Sequence, residues 1–291
     1  MLPVLSLILI IICSLIGGAL LSYPVYYLFH ILSIDISFNK SLSHVTNLCG
    51  FIFIFLFLKL HGLLNRDVLG YRQSQKGFFR EITNGIGFGI LIMFSMEIIL
   101  LVLGIHKPEN NLDLSLQFLS HIILKGILVG LFVGLLEETM YRGALLGGLT
   151  KLTGFLPAIL ISSFVYSAVH FIKFPEITAD THIIWTTGLV QMSHAFNRFT
   201  NMAYFDTFLA LMAFGSLLAL VRINKGNIYQ SIGIHAGVVL SINVINELTD
   251  FIPENNHKYL VNQYDHMLGY LAFVWLLVIS IFYYRRQITP E

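Results

Sequence analysis

Charge is what this sequence has least of. Asp, Glu, Lys and Arg make up 11% of its 291 residues, where a soluble domain carries about a quarter. So little charge cannot clothe a water-exposed surface of this size, and that excludes an ordinary soluble domain. The formal net charge of +1 gives no basic field, so a nucleic-acid partner is excluded as well. There are two cysteines, Cys13 and Cys49, both inside apolar runs. That pattern builds neither a disulfide framework nor a metal site, and both are expected to be small core residues. No periodic repeat and no low-complexity tract interrupts the chain. What is abundant is apolar: 56% of residues are hydrophobic and the mean hydropathy is +0.78, which places the chain in the membrane class.

The hydropathy pattern predicts an all-α, polytopic transmembrane helix bundle of about eight spans. The runs fall near residues 2–32, 42–64, 82–105, 114–150, 155–171, 205–221, 228–245 and 267–284. The first lacks a charged leader and is long for a signal's apolar region, so it reads as a retained span, with Pro24 as a point where it can kink. Arg66, Arg72, Lys76 and Arg80, beside Asp67 and Glu81, form the densest basic loop. Arg222 with Lys225, and Arg285 with Arg286, are the other basic clusters. Eight spans put all three on one side, with both termini, and the excess of Lys and Arg marks that side as cytoplasmic. Residues 173–204, with His182, Trp185, His194 and Arg198, are only weakly apolar and read as an external, partly interfacial helix. By sequence order the chain divides into an N-terminal part with three spans (1–112), a motif-bearing core (113–246) and an external loop with the last span (247–291).

Against this background Glu137-Glu138-Thr139-Met140-Tyr141-Arg142-Gly143 stands out. It sets two carboxylates and a guanidinium in an apolar run whose other charge is Lys125, and each such group costs about 2.5–3.5 kcal/mol on insertion scales. On a helix Glu138 and Arg142 are i,i+4 neighbours and can pair. Glu137 points about 100° away and needs a partner from another helix. If Gly154 is the tip of a helical hairpin, Glu138 lies 16 residues before it and His170 lies 16 after it. Equal rise puts both about 24 Å from the tip, so Glu137 and His170 are expected to meet at one depth. Ser163, Tyr166 and His170 share one face of their helix. His235 is a further ionisable group in an apolar setting, and Gly233 and Gly237 beside it allow another helix to approach closely. A buried carboxylate beside a neutral imidazole can act as a general base. A second His and Arg142 can hold an oxyanion or a carboxylate. One Glu and two His also suit a catalytic zinc with an open position, and spacing leaves the metal-free and zinc readings both open.

The Glu137-Glu138…Arg142 pattern resembles the EExxxR motif of the type II CAAX prenyl endopeptidases, grouped with bacteriocin-processing enzymes as CPBP intramembrane proteases. Tyr166…His170 resembles that family's second motif, and Phe214-Gly215 with Ser231-Ile232-Gly233-Ile234-His235-Ala236-Gly237 its third region. The resemblance covers roughly residues 125–245. It implies an intramembrane endopeptidase in which Glu137 activates water with help from His170, and His235 supports the oxyanion. Glu138 and Arg142 would shape the site and hold the substrate's C-terminus, with Tyr166 and Asn243 as further site-shaping residues. The family often has Asn or Asp four residues after the third-motif His. Val239 stands there in this chain, and Asn243 is two turns from His235, roughly 12 Å along the axis.

The expected substrate is a membrane-associated protein or peptide, CAAX-like and prenylated or not. The expected partners are that substrate and membrane lipid, with no resident cofactor, zinc being the alternative. The expected location is a multi-pass place in the cell membrane, which compact size and the resemblance make a bacterial inner membrane. Two other classes fit parts of the pattern. A transporter would use Glu97, Glu137, Glu138 and His170 as an ion or proton path, yet the paired broken helices of such proteins are missing. A non-catalytic protein of bacteriocin self-immunity would keep the fold without using Glu137.

Overall fold

The computed structural model describes residues 2–71, 75–110, 112–177, 182–263 and 265–288. Arg72 of the basic loop and residues 178–181 of the weakly apolar stretch lie outside that set, as do the side chains of Lys76 and Arg286. In chain order the elements are α1 (Leu2–Ile31), α2 (Phe38–Leu60), α3 (Arg66–Leu69), α4 (Gln75–Val102), β1 (His106–Pro108) and α5 (Leu116–Glu138). A π-helical turn (Thr139–Leu145) joins α5 to α6 (Leu146–Thr153). Then come α7 (Phe155–Phe171), α8 (Thr187–His194), α9 (Phe205–Lys225), α10 (Tyr229–Leu248), β2 (Thr249–Phe251) and α11 (Tyr270–Ile288).

The fold class is the expected all-α polytopic one. Among the described residues six helices are long and apolar enough to cross a membrane, and Phe155–Phe171 and Tyr270–Arg285 are shorter apolar helices, so each apolar run became a helix. Pro24 lies inside α1, whose helix continues through it. The small antiparallel pairing of β1 with β2, His106 opposite Phe251 and Pro108 opposite Thr249, was not expected. Two connecting loops meet there and satisfy each other's backbone groups.

The chain forms two compact units. One holds residues 1–64 and 168–204. In it α1 and α2 pack as a hairpin, with the Ser41 hydroxyl donating to the Ser22 carbonyl, and Trp185 packs on Tyr23 of α1 with ring centroids 5.6 Å apart. The stretch read as interfacial is helical only in part, as α8 and two short 3₁₀ turns. Cys49 is buried as expected, but Cys13 is exposed on α1, because that helix is apolar all round and buries only part of its surface.

The other unit holds residues 65–167 and 205–291. Its centre is α10, between α4 and α5. A Cβ on Gly233 would lie 2.2 Å from the Ile82 carbonyl of α4, and one on Gly130 of α5 would lie 2.6 Å from the Ala236 carbonyl of α10. Small residues therefore set both spacings, as in membrane helix packing generally. Gly233 and Gly237 face α4. His235 is two residues from each, so it points roughly the opposite way, towards α5. Elsewhere in this unit Trp275 of α11 donates to the Ile92 carbonyl of α4, and Ser231 donates to the Leu218 carbonyl of α9.

The basic clusters of this unit share one end. Lys225 reaches Glu81 at 3.5 Å, Arg222 donates to the carbonyls of Asp67 and Val68, and Asn224 bonds the Tyr283 hydroxyl near the end of α11. At the β1–β2 end Glu97 has its partner in His106. His106 Nδ1 lies 2.9 and 3.0 Å from the two carboxylate oxygens, and Nε2 lies 3.0 Å from the His266 carbonyl. Two acceptors call for two N–H groups, which is the imidazolium. Burial works to lower the His106 pKa, but the bond and charge of Glu97, with the His266 carbonyl, raise it above the ordinary value.

A raised His pKa stabilises the fold below the unfolded pKa of about 6.5 and loses that contribution as pH rises through the folded value. Thermal unfolding in detergent across pH 5 to 9 should show wild type ahead of His106→Gln at low pH, with the gap closing as pH rises. A gap independent of pH would show that the pair does not titrate this way.

Candidate active site

The site grows from the place where α5 gives way to the π turn. Thr139 is the first residue of that turn, and its hydroxyl donates to the Leu135 carbonyl at 2.5 Å. A side chain taking a backbone carbonyl competes with the regular ladder, and single π turns recur at functional sites. The continuous α-helix expected here is therefore broken at the charged motif itself. The hairpin tip falls where expected: Gly154 ends α6 with φ +83°, a conformation open to glycine.

Glu138 is fully buried and Arg142 is 1% exposed, and their expected pair is present at 3.1 Å. Arg142 does more than pair. Its second nitrogen donates to the Gly215 carbonyl of α9 at 3.2 Å, and the guanidinium lies over the Tyr166 ring, 4.5 Å from its centroid. That contact is a cation–π arrangement. The close approach at Gly215 depends on its missing side chain, since a Cβ would lie 3.2 Å from Ser163 and Tyr166 atoms.

His235 meets both carboxylates. Its Nδ1 is 3.0 Å from Glu138 Oε1, and its Nε2 is 3.8 Å from Glu137 Oε2. A carboxylate can only accept, so Nδ1 carries the hydrogen in that bond and Nε2 is the lone-pair face in the neutral ring. The ring is walled by Phe214, 5.7 Å away at 73°, and by Tyr166, 6.5 Å away at 89°. Glu138 Oε2 is buried and has no hydrogen-bond partner among the described residues.

His235, held by Glu138 and facing Glu137, is an inter-helix partner of the motif's carboxylates. Depth arithmetic along one hairpin points to His170 and does not see α10 come in as well. Tyr166 is brought to the cluster as expected. His170 follows it by one turn on α7 and is half-buried. Asn243 is not brought in through its amide, which donates to the Val239 carbonyl of its own helix at 2.8 Å. Among the described residues no group of three or more His, Cys, Asp or Glu is arranged to hold a metal ion. The Gly215 carbonyl was missed as an Arg142 partner, since a backbone acceptor leaves no mark in sequence.

Residues 119–241, about two fifths of the chain, match the family model described as "Type II CAAX prenyl endopeptidase Rce1-like". The likeness to this family is to that region of the chain. Searches of curated proteins and of solved structures found no match. The matched stretch takes in every residue of the cluster and His170, leaves out α1 to α4 and α11, and ends before Asn243. The Rce1-like region thus carries the buried Glu138–Arg142 pair and the His235 that meets it.

Removing one partner of a buried ion pair typically costs about 3–5 kcal/mol, whereas replacing both with apolar groups costs far less. Unfolding measured for Glu138→Met, Arg142→Met and the double variant should therefore show the double less destabilised than either single, a coupling of at least about 3 kcal/mol. Additive effects would mean that the pair is not the unit it appears in the structure.

Proposed function

We propose that the chain is an intramembrane endopeptidase that hydrolyses a peptide bond of a membrane-associated protein or peptide, near its C-terminus or near the membrane boundary. The family of residues 119–241 supports a CAAX-type protease. The observation that carries the reading further is one imidazole set against two carboxylates with different tasks, Glu138 buried and Glu137 partly exposed. Glu138, neutralised by Arg142, fixes the orientation and tautomer of His235. That leaves Nε2 facing Glu137 across 3.8 Å, too long for a direct hydrogen bond and suited to a bridging water.

In this reading the water donates one hydrogen to Glu137 and attacks the substrate carbonyl as Glu137 takes the proton. The C–O bond forms, the tetrahedral oxyanion collapses, and the C–N bond breaks. Glu137 returns the proton to the leaving amine. His235 accepts the water's second hydrogen at Nε2 and steadies the attack; taking that proton from the hydroxyl of the tetrahedral adduct, it holds the oxyanion as an imidazolium and releases the proton to solvent as the product leaves as a carboxylate. His170, by hairpin spacing, is the proposed second histidine at Glu137, and Val239 would contribute no hydrogen bond where the family often has Asn or Asp. The mechanism is proposed as metal-free, with zinc on Glu137, His170 and His235 as its alternative. The clustering of basic groups at one end of the second unit supports a cytoplasmic assignment of that end, and a bacterial inner membrane is the proposed location.

Cleavage of a lipid-anchored C-terminal peptide by purified protein in liposomes tests this. Glu137→Gln, His235→Ala and His170→Ala should each lower kcat by about 10²–10⁴-fold, the usual worth of acid–base catalysis, with the proteins still inserted. Full activity in Glu137→Gln would sink the assignment, and loss of wild-type activity on chelation would move the mechanism to a metal.

A further inference from the structure

Residues 65–71 form a short segment that no part of the mechanism above uses, yet it sits on the motif. It is a built element. Asn65 caps α3 by accepting from the Val68 amide at 2.9 Å, and Gly70 ends it at φ +79°. Arg222 donates to the carbonyls of Asp67 and Val68, and the Ile228 amide donates to the Gly70 carbonyl at 3.2 Å. The segment is thus fastened from the ends of α9 and α10. Its other side rests on the π turn and α6. A Cβ on Gly143 would lie 2.9 Å from the Leu69 carbonyl, and one on Gly147 would lie 2.3 Å from the Val68 carbonyl. The contact exists because both positions lack a side chain.

At the end of this segment the Tyr71 hydroxyl bonds the Thr139 hydroxyl. Thr139 gives its own hydrogen to the Leu135 carbonyl, so in this bond Tyr71 donates. Thr139 follows Glu138 directly and opens the π turn. Burial lifts the Tyr71 phenol above its ordinary pKa, partly offset by the Thr139 bond, which keeps the donor protonated at neutral pH.

We infer that Tyr71 is a positioning residue: it holds the π turn through Thr139 and so sets how Glu137 and Glu138 are presented to His235. The reason is geometric. If the π turn relaxes by one residue to a regular helix, everything on one side of it turns about 100° against the other. Glu137 and Glu138, which face His235, precede Thr139, and Arg142, which holds the Gly215 carbonyl and the Tyr166 ring, follows it, so both sets of contacts are kept together only while that turn is kept. The catalytic consequence rests on the peptidase reading above, while the structural one does not.

The test uses the full chain in liposomes, with Tyr71→Phe, which removes the donor alone, and Thr139→Val and Thr139→Ser. Amide hydrogen exchange of residues 135–146 is read beside kcat and KM. Tyr71→Phe should raise exchange in 139–146 with residues 82–100 unchanged. It should lower kcat by about 10–100-fold, the scale of a small misplacement, with KM nearly unchanged. Thr139→Ser, which keeps the acceptor, should retain both properties. Unchanged exchange in Tyr71→Phe overturns the inference, as does raised exchange with kcat unchanged. If Tyr71→Phe does not accumulate, Thr139→Val removes the same bond from the other side and is judged alike. Should the wild type cleave nothing, the peptidase reading falls and the exchange result alone decides whether Tyr71 holds the turn.

Discussion

A buried guanidinium cannot be left alone in an apolar bundle, and Arg142 is where this one is satisfied. It takes a carboxylate from one turn back, a carbonyl from α9 and the face of an aromatic ring from α7. Each contact offsets part of a desolvation penalty of several kcal/mol. Together they fix α7 and α9 against the first motif on α5. A side chain at Gly215 would press on Ser163 and Tyr166 at 3.2 Å, the cation–π contact needs an aromatic ring at Tyr166, and Glu138 faces inward. The same carboxylate oxygen that neutralises Arg142 then receives His235 from α10, so a fourth helix is oriented by the same charge. Structure and proposed chemistry share one origin here: the groups needed to bury Arg142 are those that hold His235 towards Glu137.

Packing makes the charge cluster geometrically possible. The pairs Gly233 and Gly237, two residues to either side of His235, let α4 lie almost backbone to backbone with α10. Because they face away from His235, the imidazole is presented to α5 with little freedom. On α5 small residues repeat every four positions at Gly126, Gly130 and Gly134 and meet α10 from its other side. In lipid, where burying apolar area gives little drive, such close van der Waals contact is a main source of cohesion. The charge cluster therefore sits among closely packed helices, which suits the preorganisation that the proposed chemistry would use.

The ends of this unit differ in character. One gathers Lys225, Glu81, Arg222 and the 65–71 segment. The other pairs two loops as a small sheet and buries Glu97 on His106. Glu97, an isolated acid in a hydropathy profile, is thus accounted for by one local ion pair, with no need of an ion path through the bundle. Glu97 is one of the four residues, with Glu137, Glu138 and His170, on which a transport reading of the sequence rested.

The sequence by itself determined a great deal. Deficit of charge and eight apolar runs settle an all-α membrane fold, because hydrocarbon leaves helices as the way to satisfy each backbone group internally. The Glu138–Arg142 pair and the turn at Gly154 were legible, since both depend on local spacing along one chain segment. So were the close approaches at Gly233 and Gly237. That His235 meets the motif was decided only by tertiary structure: it comes from almost 100 residues away, and hairpin arithmetic sees one neighbouring helix, not the several that surround it. The π turn was equally invisible, for it arises where Thr139, the segment at 65–71 and Gly143 meet. Backbone acceptors such as Gly215 and long-range hydroxyl bonds such as that of Tyr71 have no sequence period, so only the folded arrangement could reveal them.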